Sequence, residues 1–66
     1  MTYSEKIKSA RENLLMTQEE IAAELGVTPI TVCRWETGKT EPSIKAKKAF
    51  RDLCEREGLT FGENNG

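Results

Sequence analysis

The chain has no histidine and only two cysteines, Cys33 and Cys54. A structural zinc site needs four Cys or His ligands at short spacings, which this sequence does not provide. No metal and no cofactor is therefore expected. Nucleophilic catalysis by Thr or Cys needs a base placed to activate it, and none is apparent. No Gly-rich phosphate loop follows a strand pattern, and 66 residues leave little room for a sizeable pocket. The expectation is that this is not an enzyme. No apolar run reaches membrane length and no signal-peptide pattern opens the chain. A soluble cytoplasmic protein with no membrane partner and with reduced thiols is expected. There is no internal repeat, and no low-complexity tract precedes the last five residues.

What is present is a dense set of helix signals. Thr17-Gln18-Glu19-Glu20 is a capping box, in which the Thr and Glu side chains each satisfy an unpaired backbone N–H. Thr28-Pro29 is a second start: Thr28 caps, and Pro29 suits the first helical position because its missing N–H has no partner there. Gly26 lies between them, where a left-handed residue ends the first helix. At about 100° per residue, Ile21 and Leu25 share a face with Ala22 beside them. In the next helix Thr28, Thr31, Val32 and Trp35 share a face. Pro29, Ile30, Cys33, Arg34 and Thr37 lie opposite, towards solvent. An outward face holding Pro, Ile and Cys is not an ordinary charged surface; it looks shaped for contact.

The flanks read in the same way. Residues 1–13 form a first helix with a capping box at Thr2-Tyr3-Ser4-Glu5 and an apolar face of Tyr3, Ile7, Ala10 and Leu14. Leu14-Leu15-Met16 joins it to the second helix, with Leu14 and Met16 in the core. Ser43 caps a fourth helix that Gly58 ends. Its apolar face is Ala46, Ala49, Phe50, Leu53 and Cys54, and Ile44 lies off that face. Leu59 and Phe61 either fold back onto the domain or join a dimer contact. The expected organisation is one domain over residues 1–61 and a disordered tail over residues 62–66. A chain this short has a thin core, so compact helix packing must hold it.

The stretch from Thr17 to Gly38 resembles the helix-turn-helix of the phage Cro/repressor family, often termed XRE-like. The residues that carry the likeness are Gln18, Ile21, Ala22, Leu25, Gly26, Val27, Val32 and Trp35, followed by Glu36-Thr37-Gly38-Lys39. It extends over about residues 4 to 57. It implies a compact all-α bundle of four or five short helices of the lambda-repressor type. Relatives often have a short fourth helix and a distinct fifth, whereas this chain has room for one longer fourth helix. Two departures from the family stand out. Leu15 occupies a place where relatives usually have Gly, at a cost of about 1–2 kcal/mol if the backbone is left-handed there. Pro29 and Ile30 replace residues that are often polar.

The resemblance implies a sequence-specific regulator of transcription, a repressor, that inserts the helix over residues 28–37 into the major groove of double-stranded DNA. Base contacts would come from Arg34, Pro29, Ile30, Cys33 and Thr37. Arg34 can read guanine through O6 and N7 or clamp a phosphate; Pro29 and Ile30 can pack on a thymine methyl. Cys33 can touch a base or sense oxidation. Phosphate contacts would come from Gln18, Thr28, Lys39 and Thr40, with Thr28 and Thr31 open to cap and core roles as well. Relatives pair the equivalents of Arg11 and Glu36, which implies an ion pair here. They bind inverted-repeat operators as homodimers. The same fold also serves antitoxins, which have a protein partner, and protein-interaction modules.

Net charge is −1, opposite in sign to a simple nucleic-acid binder. The distribution is more informative. Residues 12–24 contain Glu12, Glu19, Glu20 and Glu24 and no Lys or Arg. Residues 30–51 contain Arg34, Lys39, Lys45, Lys47, Lys48 and Arg51 against Glu36 and Glu41. One end is acidic, and the end holding the outward helix is basic.

Overall fold

A computed structural model describes residues 2–59. Four helices make up the fold: α1 (Tyr3–Asn13), α2 (Gln18–Leu25), α3 (Pro29–Glu36) and α4 (Ile44–Glu57). Each begins at a side-chain cap. Thr2 and Thr17 form the two expected capping boxes with Glu5 and Glu20. Thr28 accepts from the Thr31 N–H and Ser43 from the Ala46 N–H. Helix α1 starts at Tyr3 and not at the first residue, because Thr2 has the extended backbone of a cap (φ −79°, ψ 164°).

All four helices end with the same pair of backward hydrogen bonds around a left-handed residue. After α2, Val27 N–H donates to Ala22 O at 2.9 Å and Gly26 N–H to Ala23 O at 3.3 Å. Gly38 and Gly58 occupy the equivalent places after α3 and α4. After α1 the left-handed residue is Leu15, with φ 57°. Met16 N–H reaches Arg11 O at 2.9 Å and Leu15 N–H reaches Glu12 O at 3.1 Å, so the ending forms despite the side chain. Leu15 is 90% exposed and gains little packing in return. Leu15→Gly should therefore stabilise the domain. Relief of about 1–2 kcal/mol of left-handed strain outweighs the roughly 0.5–1 kcal/mol entropy cost of glycine. A higher urea midpoint with an unchanged slope is the expected readout.

Helix α3 packs against both α1 and α2, and α4 closes on α2. The core is Ile7, Ala10, Ile21, Ala22, Leu25, Val32, Trp35, Ala46, Phe50, Leu53 and Cys54, with Tyr3, Leu14, Met16, Val27, Ala49 and Leu59 packed at its edge. Every expected apolar face is thus turned inward. Thr31 is half-buried, whereas Thr28 is exposed at its cap. Ile44 is 73% exposed at the start of α4. Leu59 folds back, with its N–H on Cys54 O at 2.8 Å. Phe61 and residues 62–66 lie outside the described residues, so the dimer-contact and tail expectations have no counterpart here.

Some contacts join elements far apart in sequence. The Tyr3 ring meets Phe50 edge-on at 6.2 Å, with the Lys6 and Lys47 ammonium groups 4.9 and 4.8 Å from its centre. Arg56 bonds Glu24 at 2.6 Å, tying α4 to α2. Both of these side chains are well exposed, so that pair contributes at most about 1 kcal/mol. Pro42, in the loop before α4, is buried.

Candidate nucleic-acid interface

The candidate interface is the outer face of α3, and α3 is held from behind. Val32 and Trp35 point into the core. At its C-terminal end Glu36 receives three donors. Arg11 Nε donates to Glu36 Oε2 at 2.7 Å and an Arg11 terminal nitrogen to Oε1 at 3.1 Å, a two-pronged pair of the kind a guanidinium forms best. Gln18 Nε2 donates to the same Oε1 at 3.1 Å. The backbone carbonyl of Glu36, which the helix leaves without a partner, accepts from Ser4 Oγ at 2.6 Å. One residue therefore fastens α1, α2 and α3 together.

The Glu36 side chain is only 6% exposed and that of Arg11 19%. Burial alone pushes the Glu36 carboxyl up. The hydrogen bonds from Arg11 and Gln18, with the charges of Arg11 and Lys8, outweigh it and hold the group below the usual carboxylate range. The hydrogen bonds that Arg11 donates to Glu36 in turn raise the pKa of the guanidinium. Glu36 is thus an anion neutralised inside the fold. Its charge is withdrawn from the surface on which Arg34 and Lys39 are exposed.

The opposite face of α3 is open. Pro29, Ile30, Cys33, Arg34 and Thr37 are all exposed, with Ile30 at 64%. The Arg34 guanidinium makes no hydrogen bond or ion pair with any other described residue. Thr37 Oγ1 donates back to Cys33 O at 3.0 Å or Arg34 O at 3.2 Å. Thr28 holds the other end: its hydroxyl accepts from Thr31 N–H at 3.3 Å and lies 2.9 Å from the Thr31 hydroxyl. Beyond α3, Lys39 and Thr40 are exposed in the loop, which is pinned by the Lys39 N–H on Arg34 O at 2.9 Å. A depression of about 220 Å³ lies beside this loop, bounded by Tyr3, Trp35, Gly38 and Thr40. It is smaller than the roughly 300–1,000 Å³ of small-molecule sites.

The chain thus presents an open outer face on α3 followed by an exposed loop. A helix-turn-helix family profile matches residues 7–46, from the middle of α1 to the start of α4 and more than half of the chain. The chain belongs to the Cro/repressor-type helix-turn-helix family. It is 31% identical over 67 residues to the HTH-type transcriptional regulator DicA of Escherichia coli K12, covering 98% of this chain and 50% of DicA. It is 33% identical over 50 residues to the transcriptional activator BcrR of Enterococcus faecalis, covering 76% of this chain and 24% of BcrR. A type II methyltransferase of Shigella sonnei, M.SsoII, is 39% identical over 61 residues, which cover 88% of this chain and 16% of the methyltransferase. That match spans the helix-turn-helix and only a small part of the enzyme. The chain spans half the length of DicA and smaller shares of the other two. No solved structure matches it.

Helix-turn-helix domains of this family are DNA-binding units of transcriptional regulators, not enzymes. Within that family frame, Ser4 was not evident as a contributor from sequence. A small polar residue on the first turn of α1 has many uses, and nothing in its spacing points to a carbonyl 32 residues away. The Gln18–Glu36 bond was equally hidden. A Gln at the start of α2 reads as a phosphate contact, and the second role follows only from where α3 ends. The two roles are compatible, because the amide has two N–H donors and Glu36 takes one.

Proposed function

We propose that the chain is the DNA-binding domain of a sequence-specific transcriptional regulator, a repressor, that places α3 in the major groove of double-stranded DNA. The observation that carries this reading is the outer face of α3: five exposed side chains on a helix fixed from behind, with the Arg34 guanidinium available. A major groove about 12 Å wide admits an α-helix. Base contacts fall to Arg34, Ile30, Pro29, Cys33 and Thr37. Gln18, Lys39 and Thr40 grip the backbone, helped by the exposed N–H groups at the start of α2. Thr28 is occupied as a cap and contributes by holding that end of α3. The domain measures 29 × 21 × 19 Å, less than one turn of DNA at about 34 Å, so one copy covers one half-site. Two copies on an inverted repeat then give an operator, and occupancy there blocks polymerase.

The test is selection from a randomised duplex pool, followed by titration of the winning site at several salt concentrations. Enrichment of an inverted repeat with affinity falling steeply in salt supports the reading. No enrichment and no salt dependence sinks it, and a protein-interaction module on the same fold takes its place. The backbone contacts separate by chemistry. Lys39→Ala should weaken binding to all duplexes alike and lower the salt slope by about 0.9, since one cation no longer displaces counterions. Gln18→Ala should also weaken all duplexes alike but leave the slope unchanged, because the amide is neutral. A sequence-dependent loss in either variant would reassign that residue.

A further inference from the structure

The outer face of α3 is short of hydrogen-bond donors. Pro29 and Ile30 have none in their side chains, and Cys33 offers only a weak thiol donor. Thr37 looks polar in sequence, but its hydroxyl proton is turned back onto the carbonyls of Cys33 and Arg34 at 3.0 and 3.2 Å. Towards a ligand Thr37 offers acceptor lone pairs and a methyl group. Arg34 is therefore the only strong donor of the five. The rest of the surface is carbon and sulfur, led by Ile30 at 64% exposure.

Base edges in the major groove are mostly polar, and the one apolar group among them is the 5-methyl of thymine. We infer that this chain reads a half-site made of one guanine flanked by thymine methyl groups, with Arg34 on the guanine and Ile30, supported by Pro29, on a methyl. The inference rests on the DNA-binding reading above and narrows it to a ligand chemistry. It also fixes a distance. Ile30 precedes Arg34 by four residues, on the same side of the helix. That is roughly 6 Å along the axis at about 1.5 Å per residue. The methyl lies within about two base-pair steps of the guanine, at about 3.4 Å per step.

The experiment uses the selected duplex. Each thymine is replaced in turn by uracil, and each T·A pair by C·G or by 5-methylcytosine·G. Thymine against uracil isolates the methyl in one pair, and 5-methylcytosine against cytosine isolates it in the other. At the position facing Ile30 the methylated base should bind about fourfold tighter in both comparisons, the factor that a buried methyl-sized group carries. Ile30→Ala, a change at an exposed site, should bind the thymine and uracil duplexes alike. Equal binding of thymine and uracil at every position would overturn the inference, as would Ile30→Ala keeping the full preference. Both outcomes leave sequence-specific binding intact. Failure to select any site is the distinct result that removes the DNA-binding reading and this inference with it.

Discussion

Glu36→Ala is expected to lower the melting temperature of the domain by several degrees. The substitution takes from Arg11 the carboxylate that accepts two of its N–H groups, leaving it the Met16 carbonyl, and it takes an acceptor from Gln18. The pair is part-buried, with the Arg11 side chain 19% and that of Glu36 6% exposed, so the cost falls between the roughly 1 kcal/mol of an exposed pair and the about 3–5 kcal/mol of a fully buried one. A core in a chain this short supplies a total of only about 3–5 kcal/mol. Thermal unfolding followed by circular dichroism should show the loss directly. A domain of this size moves roughly 4–8 °C for each kcal/mol. Unchanged melting would show that Arg11 reaches water without difficulty and that the junction of α1, α2 and α3 does not depend on the pair. The double variant Arg11→Met, Glu36→Met should recover much of the loss, since it strands no charge. That recovery separates a charge effect from simple disruption of packing.

The same carboxylate sets a pH dependence. The folded-state value for Glu36 lies below that of an unfolded chain, about 4.3. Its stabilisation is therefore complete above that unfolded value and is lost as pH falls through the lower folded value. Glu5 acts in the same direction, held low first by the Thr2 backbone N–H. Stability of the native chain should fall on acidification below about pH 4.5, while Glu36→Gln, which cannot titrate, should give a flatter curve there. The gap between the two should narrow as pH drops; a constant gap would mean that Glu36 does not titrate with unfolding.

Local chemistry made most of this fold legible. Capping boxes act over three residues and left-handed endings over one, so Thr2, Thr17, Gly26, Ser43 and Gly58 announced their roles in the sequence. Leu15 was legible in another way. Its position demanded a left-handed backbone whatever residue stood there, and φ 57° meets that demand. The hidden parts depend on how helices cross. Ser4 on the Glu36 carbonyl, Gln18 on its carboxylate and Arg56 on Glu24 join residues 18 to 32 apart. Long polar side chains have many partners in reach, and only the packed arrangement selects one. Pro42 is buried because the loop turns inward before α4, and loop direction has no periodicity to read. At the interface the exposure of Pro29, Ile30, Cys33, Arg34 and Thr37 follows from helical period alone. The direction of the Thr37 hydroxyl does not, since a Thr at a helix end can bond backwards or outwards.

Arg34→Ala is expected to weaken binding to the selected site, relax one base position and leave the fold alone. The side chain is exposed and without a partner among the described residues, so its loss should change stability by no more than about 0.5 kcal/mol. Its contribution to discrimination is about 1–3 kcal/mol, if both prongs reach O6 and N7 of one guanine. That corresponds to a loss of roughly 5- to 150-fold on the selected site. A scrambled duplex should lose only the share of one cation, and that share should vanish in high salt. Arg34→Lys decides the geometry. Lysine keeps the charge but not the planar fork. If Arg34 reads guanine, the lysine variant keeps non-specific affinity and its salt slope and still loses much of the preference for that base. If Arg34 clamps a phosphate, lysine restores binding on both duplexes and every base at the contacted step is accepted equally by all three proteins. The second outcome would leave α3 without a strong reader, because Thr37 has turned its proton inward and the neighbouring side chains are carbon and sulfur. Specificity would then have to come from methyl contacts and the deformability of the DNA, which discriminate far less per base pair than a two-pronged arginine.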